Sequence, residues 1–341
     1  MAQKQLIDYT VIVPVFNEAD SIVELTDRIE SVFSQLGKKG SFQILFVDDG
    51  SSDDTPEIIT DLCRTRSFIR SVKLRRNCGK SMALMAGFEY AEGEVIFTID
   101  GDLQDHPEDI PRLLEKLEEG FDVVSGWRQG RKDTLTRRWG SKVFNLVVGW
   151  ISGLRLHDHN CGLKVYAKRV VSSLCIYGQF HRHTPLLAHI AGFKVTEVHV
   201  ENSPRKFGES KFRTFRYQGF FDLLTISFTH KFGASPLHFF GLVSFVFIIP
   251  SLLVLFYWIT FQLLFLTGFS EQSVSFSPLF LILAILVLML GGLIFMSGFI
   301  CDFILHHLIR SNIETIVALQ IDKVVEPGGD EREPETPIGA R

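Results

Sequence analysis

Between Phe232 and Cys301 the chain carries one formal charge, Glu271, in 70 residues. No ordinary water-soluble domain can be built from such a stretch, because a soluble surface needs far more charge than that. Within it, residues 237–259 hold 16 Leu, Ile, Phe or Val among 23 positions. At roughly −0.3 to −0.6 kcal/mol for each such residue near a helix centre, insertion into a bilayer is favoured by several kcal/mol. A second apolar run, Pro278–Cys301, is again long enough to cross a hydrocarbon core of about 30 Å. The alternative, a buried helical hairpin in a large soluble core, fits these lengths poorly. A two-helix transmembrane hairpin over 236–309 is therefore predicted.

Charge on the flanks sets its direction. Arg205, Lys206, Lys211, Arg213, Arg216 and Lys231 precede the first span, Arg310 and Lys323 follow the second, and the intervening loop Thr267–Ser277 has no Lys or Arg. The positive-inside rule then puts both termini in the cytoplasm, making this a multi-pass protein of the cell (inner or plasma) membrane. Residues 212–235 mix aromatics with charges near their ends and read as amphipathic interfacial helices along the inner leaflet. A linker helix packed on the soluble part is the alternative. Residues 310–341 read as a cytoplasmic tail, with the Pro-, Gly- and acid-rich stretch Glu326–Arg341 disordered. The N-terminus shows no apolar signal-like run. The five cysteines form no C-x-x-C pair, which favours reduced thiols in a reducing compartment over zinc or disulfides. A net charge of −4 argues against nucleic acid as a partner.

Residues 1–211 alternate strand and helix. Thr10–Val15 is a continuous apolar run, as in a strand buried on both faces. Ile22, Leu25, Ile29, Val32 and Leu36 follow at helical spacing. Gln43–Val47, Ile69–Leu74, Val95–Ile99 and Asp122–Ser125 are further strands. Helices are predicted from Thr55 (a cap, with Pro56 at the first position), over Ser81–Ala91 and over Pro111–Leu117. This is the pattern of an α/β domain with a mainly parallel sheet, in which ligands bind beyond the carboxyl ends of strands.

Three of those ends carry polar clusters: Asn17-Glu18, Asp48-Asp49-Gly50-Ser51-Ser52-Asp53 and Asp100-Gly101-Asp102-Leu103-Gln104-Asp105. Alternation in an extended segment would turn Asp100, Asp102 and Gln104 to one side. Two carboxylates and an amide oxygen suit a hard cation, Mg²⁺ or Mn²⁺, with positions left for phosphate oxygens. Asp105, ahead of Pro107, reads as a helix cap. Gly79-Lys80-Ser81 is not the end of a P-loop, since Leu74 stands where the first glycine belongs. No G-x-G-x-x-G follows the first strand, and neither H-E-x-x-H nor G-x-S-x-G occurs. His181, His183 and His189 read as helix and loop residues rather than ligands.

Val13-Pro14-Val15-Phe16-Asn17-Glu18, Val47–Thr55 and Asp100–Asp105 together resemble the family-two glycosyltransferases of GT-A (Rossmann-like) fold. More narrowly the chain is similar to the polyprenyl-phosphate glycosyltransferases, the group of dolichol-phosphate mannosyltransferase and the bactoprenol glucosyltransferases. Cys161-Gly162-Leu163-Lys164 and Arg205-Lys206-Phe207-Gly208-Glu209-Ser210-Lys211 carry that narrower likeness, and the resemblance covers roughly residues 9 to 235. It implies that Pro14, Asn17, Glu18, Asp48 and Asp49 hold the nucleotide, with Gly79 and Lys80 flanking base and ribose. Asp100, Gly101 and Asp102 would face the donor, with Asp100, Asp102 and Gln104 on the metal. Arg128, Arg138, Arg205 and Lys211, with Ser210 in the same motif, would grip donor and acceptor phosphates, and Asp158 would orient sugar or acceptor. The chain departs from the family pattern at Gly101, usually Ala, at His106, usually Pro, and at Leu163, commonly Phe.

The reaction implied is inverting, metal-dependent transfer from a nucleotide sugar to a polyprenyl phosphate such as undecaprenyl phosphate. The expected donor is UDP-glucose, which would make the enzyme a hexosyltransferase. GDP-mannose is the alternative, and N-acetylglucosamine and a modified arabinose stay open. A processive polysaccharide synthase is disfavoured, because Leu135-Thr136-Arg137-Arg138-Trp139 lacks the Gln of that group's motif. A non-catalytic nucleotide-sugar-binding subunit is the remaining alternative. A small hairpin anchor of this kind is expected to gain from homo-oligomerisation.

Overall fold

The structure, a computed structural model, describes residues 7–38, 40–128, 154, 156–204, 228, 236–267, 278–308, 321–325 and 331–332. The chain divides into two compact units, Met1–Leu224 with Ile313–Arg341, and Thr225–Asn312. Apart from Phe228, the segment read as interfacial helices (212–235) lies outside the described residues, as does most of the loop between the spans.

The first unit is a mixed, mostly parallel sheet with helices. Strand β1 (Tyr9–Val15) leads to helix α1 (Ile22–Gln35), β2 (Phe42–Asp48), α2 (Thr55–Thr65), β3 (Ile69–Leu74), α3 (Lys80–Tyr90), β4 (Val95–Thr98), α4 (Ile110–Glu118) and β5 (Val123–Arg128). After these come β6 (Lys164–Ala167), the short α5 (Lys168–Val171), α6 (Thr184–Ile190) and β7 (Val195–Val200). Seven strands lie in the order β7-β5-β6-β4-β1-β2-β3. All pairs in this set are parallel except those of β6, which runs antiparallel to both β4 and β5.

The hydrophobic runs explain the layers. Strand β2 is buried along its whole length, as both faces are covered by helices. Helix α1 turns Ile22, Leu25, Ile29 and Phe33 into the core, and Phe33 stacks on Phe42 with ring centroids 4.5 Å apart. Helix α2 begins one residue earlier than its Thr-Pro signature suggests. Thr55 is its first residue, and its hydroxyl accepts the Glu18 N–H at 3.0 Å instead of capping its own helix.

Two further strands come from the stretch read as a tail. Strand β8 (Ile321–Val325) pairs antiparallel with the outer edge of β3, and β9 (Glu331–Arg332) pairs with β8. An open edge of unpaired N–H and C=O groups recruits any extended segment of suitable length. That demand comes from β3, so the composition of the tail does not reveal it.

The second unit is a pair of long helices, α7 (Pro236–Leu266) and α8 (Pro278–Leu308), both long and apolar enough to cross a membrane. Their contact is narrow and small-residued. Gly241, Ser244 and Ser251 are buried on α7, and Ala284, Gly291 and Gly298 on α8 at a strict seven-residue spacing. Such a repeat keeps one seam facing its partner, and small residues let the backbones approach. Most of the remaining surface of the pair is apolar and exposed, as with Leu242, Phe256, Leu266 and Leu293. Water would oppose so large an exposed apolar surface; lipid would not.

A Cβ added at Gly298 would lie 2.5 Å from Cβ of Phe240, which cannot swing away as a side-chain tip could. Gly298→Val is therefore expected to loosen the hairpin and lower the melting temperature of the detergent-solubilised protein. An exposed swap such as Leu293→Val should leave it nearly unchanged, and equal effects would contradict the seam.

Candidate active site

Parallel strands β1, β2 and β4 end at one edge, and antiparallel β6 begins there. Lys164, the first residue of β6, is in register with Thr98 at the end of β4 and with Ser125 on β5. The Cys161-Gly162-Leu163-Lys164 motif is thus carried to the same edge as the acidic clusters. Thr98 anchors it by donating its hydroxyl proton to the Gly162 carbonyl at 3.0 Å.

Loop-to-loop bonds hold this edge together. Asn17, in the left-handed region at φ 53°, donates its N–H to the Ser51 hydroxyl at 2.9 Å, and its side-chain oxygen accepts the Ser52 N–H at 2.8 Å. Asp48 is buried and accepts the Ser51 N–H at 2.9 Å; burial pushes its carboxyl pKa up. Asp49 accepts the N–H groups of Cys78 (2.6 Å) and Gly79 (2.9 Å), which fixes the start of α3 against the end of β2. Its pKa is also raised by burial.

Between these loops lies a cavity of about 320 Å³, lined among others by Pro14, Glu18, Asp49, Gly79, Lys80, Asp100, Gly101 and Asp102. Eight of the residues singled out in the sequence are thereby brought together. Asn17 and Asp48 stand behind the wall, bracing the loops. Phe16, Asn77, Gln179 and His181 also line the cavity. Gln179 and His181 sit far from the strand-end clusters in sequence, so no spacing rule points to them. His181 faces the hydroxyl of Ser81 through Nδ1 at 2.9 Å, and burial with Lys80 nearby lowers its pKa to about 2.

Asp100 forms an ion pair with Lys80. Burial alone would raise the Asp100 pKa, but Lys80, aided by Lys164 and Arg128, holds it below the ordinary carboxylate range. Asp102 accepts the Gln104 N–H at 3.2 Å. Between them Leu103 has φ 60°, which breaks the alternation expected of an extended strand. The side chain of Gln104 is in consequence turned aside, its amide nitrogen 3.5 Å from the Ser203 carbonyl, and Gln104 does not line the cavity.

Asp105 differs from the reading of its sequence as well. It does not cap the following 3₁₀ turn at Pro107–Asp109 but is buried beneath the site near the Cys161 thiol. Burial, and then the neighbouring Asp100 charge, raise its pKa to about 6. Lys164 is buried near Cys161 and Asp100, and desolvation lowers its pKa to about 8. The sequence motif contains Lys164, but nothing in the motif assigns it a place beneath the acidic cluster.

Gly162 is what lets these carboxylates meet. A Cβ there would lie 2.6 Å from Cγ of Asp100 and would also strike Asp105. Arg128 and Asp158 pair with one another outside the cavity wall. The guanidinium donates to both carboxylate oxygens, at 2.7 and 3.2 Å, and to the Asn160 carbonyl at 2.7 Å. Both side chains are nearly buried, and the pairing raises the Arg128 pKa against the effect of burial. Arg138, Arg205, Ser210 and Lys211 lie outside the described residues. Among the described residues no three His, Cys, Asp or Glu side chains converge as a metal cage. Of the carboxylates lining the cavity, Glu18, Asp49, Asp100 and Asp102, the last two stand two residues apart on one loop. That set fits a divalent ion taking its other ligands from phosphate and water, as Mg²⁺ and Mn²⁺ do beside nucleotides.

A cleft lined by carboxylates at the carboxyl edge of such a sheet is where an α/β protein binds its ligand, and known proteins define the class. The chain belongs to glycosyl transferase family 2, whose model matches residues 10–172. It is homologous to the undecaprenyl-phosphate 4-deoxy-4-formamido-L-arabinose transferase of Pseudomonas syringae pv. syringae. That protein is 33% identical over 297 residues, covering 86% of this chain and 85% of the relative. The transferase of the same description from Salmonella paratyphi B is 38% identical over 218 residues, or 63% of this chain and 66% of that one. Among solved structures, glucosyl-3-phosphoglycerate synthase from Mycobacterium tuberculosis superposes with a TM-score of 0.50 at 20% identity, over 64% of this chain and 79% of that chain. Mannosyl-3-phosphoglycerate synthase from Rubrobacter xylanophilus also gives 0.50, at 16% identity, over 66% and 74%. These likenesses establish the GT-A fold.

Two outcomes are expected. Gly162→Ala should reduce turnover at least tenfold by forcing Asp100 and Asp105 apart, measured as sugar transfer. Activity within twofold of wild type would contradict the close approach. Asp105 titrates near pH 6 in the fold and near 4 when unfolded. The folded state therefore binds more protons between those values, and this group's contribution to stability falls as pH rises through that window. Asp105→Asn should then raise the melting temperature by a few degrees at pH 7.5, an advantage that vanishes at pH 4. A constant difference at both pH values would contradict the buried-charge assignment.

Proposed function

We propose that the protein transfers a sugar from a nucleoside-diphosphate donor to undecaprenyl phosphate at the cytoplasmic face of the membrane. The donor is read as a uridine diphosphate carrying a 4-modified L-arabinose. The observation that carries the reaction is the Asp100–Asp102 pair facing a nucleotide-sized cavity in a chain with two membrane-length helices. The relatives' own description supports the lipid acceptor and a pentose. UDP-glucose and a hexosyl group, expected from the sequence, have no support from those relatives.

Asp100 and Asp102 would hold Mg²⁺ or Mn²⁺. When bound, such an ion stabilises the negative charge that develops on a departing nucleoside diphosphate. The chain's own groups do the remaining work. A phosphate monoester has its second pKa near 6, so at neutral pH the lipid headgroup is already a largely anionic nucleophile. No strong general base is required. An oxygen of the lipid phosphate forms the new bond to the anomeric carbon as the bond to the diphosphate breaks, and the electron pair leaves with the diphosphate. A single displacement inverts that carbon.

Asp49 and Asn17, by fixing the loops, keep the walls around the nucleotide rigid. Lys80 and Lys164 bring positive charge to the edge where the diphosphate lies. Arg138, Arg205, Ser210 and Lys211 are assigned to the phosphates of donor and acceptor by family resemblance. Arg128, with its charge satisfied by Asp158, is read as bracing the Cys161–Lys164 loop, with Asp158 as its counter-charge. The membrane helices confine the enzyme to the bilayer that holds its acceptor, and both termini are assigned to the cytoplasm from the flanking basic residues.

Purified full-length protein with undecaprenyl phosphate should yield a pentosyl lipid from UDP-4-deoxy-4-formamido-L-arabinose, detected by mass spectrometry. UDP-glucose and GDP-mannose should yield at least tenfold less. A glucosyl lipid as the main product would overturn the donor assignment, and no product from any donor would overturn the reaction. Asp102→Asn should abolish transfer without changing the melting temperature by more than a degree or two, because Asp102 sits at a partly exposed loop.

A further inference from the structure

Lys80 and Asp100 stand in an arrangement that the proposed reaction does not by itself require. Lys80 is the first residue of α3, and its ammonium is bonded to Oδ1 of Asp100. Both line the cavity and both are partly open to it, with side-chain exposures of 25% and 34%. Among the described residues Lys80 makes no other ion pair. The second lysine of the cluster, Lys164, is held on β6 by its register with Thr98 and is buried. Lys80, on a flexible four-carbon stem at the cavity wall, is the cation that can move.

We propose that Lys80 is a rival cation for Asp100, so that metal and nucleotide bind as a coupled pair. The inference rests on the reading of Asp100 and Asp102 as ligands of a divalent ion. Its physics is competition for one carboxylate. A divalent ion approaching alone must displace the ammonium from Asp100 and leave Lys80 facing two new positive charges. A nucleoside diphosphate reverses both penalties, because its phosphates accept the ammonium of Lys80 and at the same time supply oxygen ligands to the ion. Lys80 thus serves as counter-ion to Asp100 before the donor arrives and as a phosphate contact afterwards.

The coupling is reciprocal by linkage: whatever factor the nucleotide adds to the metal's affinity, the metal adds to the nucleotide's. The consequence for function is order. The carboxylate pair is withheld from free divalent ions and is released to one that comes with a diphosphate. The exchange also places Lys80 on the donor's phosphates, instead of beside the base and ribose as family resemblance implies.

The experiment is Mn²⁺ binding to the full-length protein in detergent, followed by electron paramagnetic resonance with and without UDP and needing no turnover. For wild type, UDP should tighten Mn²⁺ binding at least tenfold. Lys80→Met should bind Mn²⁺ at least tenfold more tightly than wild type when UDP is absent, and no more tightly, or more weakly, when UDP is present. Lys80→Gln serves as a second variant should Lys80→Met fail to fold, and Lys80→Arg, which keeps the cation, should retain the wild-type coupling.

Unchanged or weaker Mn²⁺ binding by Lys80→Met in the absence of UDP would overturn the inference. So would an equal gain with and without UDP, since that reports only the loss of a distant positive charge. Asp102→Asn separates this failure from that of the underlying reading. If Asp102→Asn binds Mn²⁺ as wild type does, or wild type with UDP binds none, the ligand assignment itself falls and the inference falls with it.

Discussion

Most of what this protein does depends on letting several charges approach at one edge of a sheet. Asp100 and Asp102 face the cavity, Asp105 lies underneath, and Lys80 and Lys164 approach from two elements. Carboxylates gathered in this way repel, and their persistence requires neighbouring cations and a backbone with no side chain between them. Reversed strand β6 meets both needs. It begins at the edge where its antiparallel neighbour β4 ends, so it delivers Gly162 and Lys164 to the acidic residues that follow β4.

The two units divide the labour along chemical lines. A sheet covered by helices can hold a rigid polar cleft, because its strand ends are fixed by the apolar body behind them. The helix pair is built for lipid. Small residues are buried along its seam, and most of its exposed surface is apolar. A water-soluble donor and an acceptor that cannot leave the bilayer require a protein of both kinds.

Much of this could be read directly from residue patterns, and the exceptions have physical causes. The buried runs of β1 and β2 and the helical spacing of α1 are local signals, and they place those elements within a residue or two. Strand β6 is four residues long and begins with a buried lysine, so neither length nor hydrophobicity betrays it. Strand β8 exists because β3 has a free edge, which is information held elsewhere in the chain. At the site, the acidic clusters are legible because they follow apolar runs. The turning aside of Gln104 is not, since it depends on one left-handed residue, Leu103. The neutralisation of Arg128 by Asp158 is equally invisible, because the two lie 30 residues apart and meet only through the packing of β5. The sugar is the least legible feature, as it depends on the shape of a cleft whose walls come from distant segments.

The most direct test of the central claim is the position of the cation. Crystals of the full-length protein grown with UDP and Mn²⁺ should show an anomalous peak between the carboxylates of Asp100 and Asp102, with the diphosphate completing its coordination. A peak held by other residues, or a diphosphate bound away from this edge of the sheet, would contradict the account.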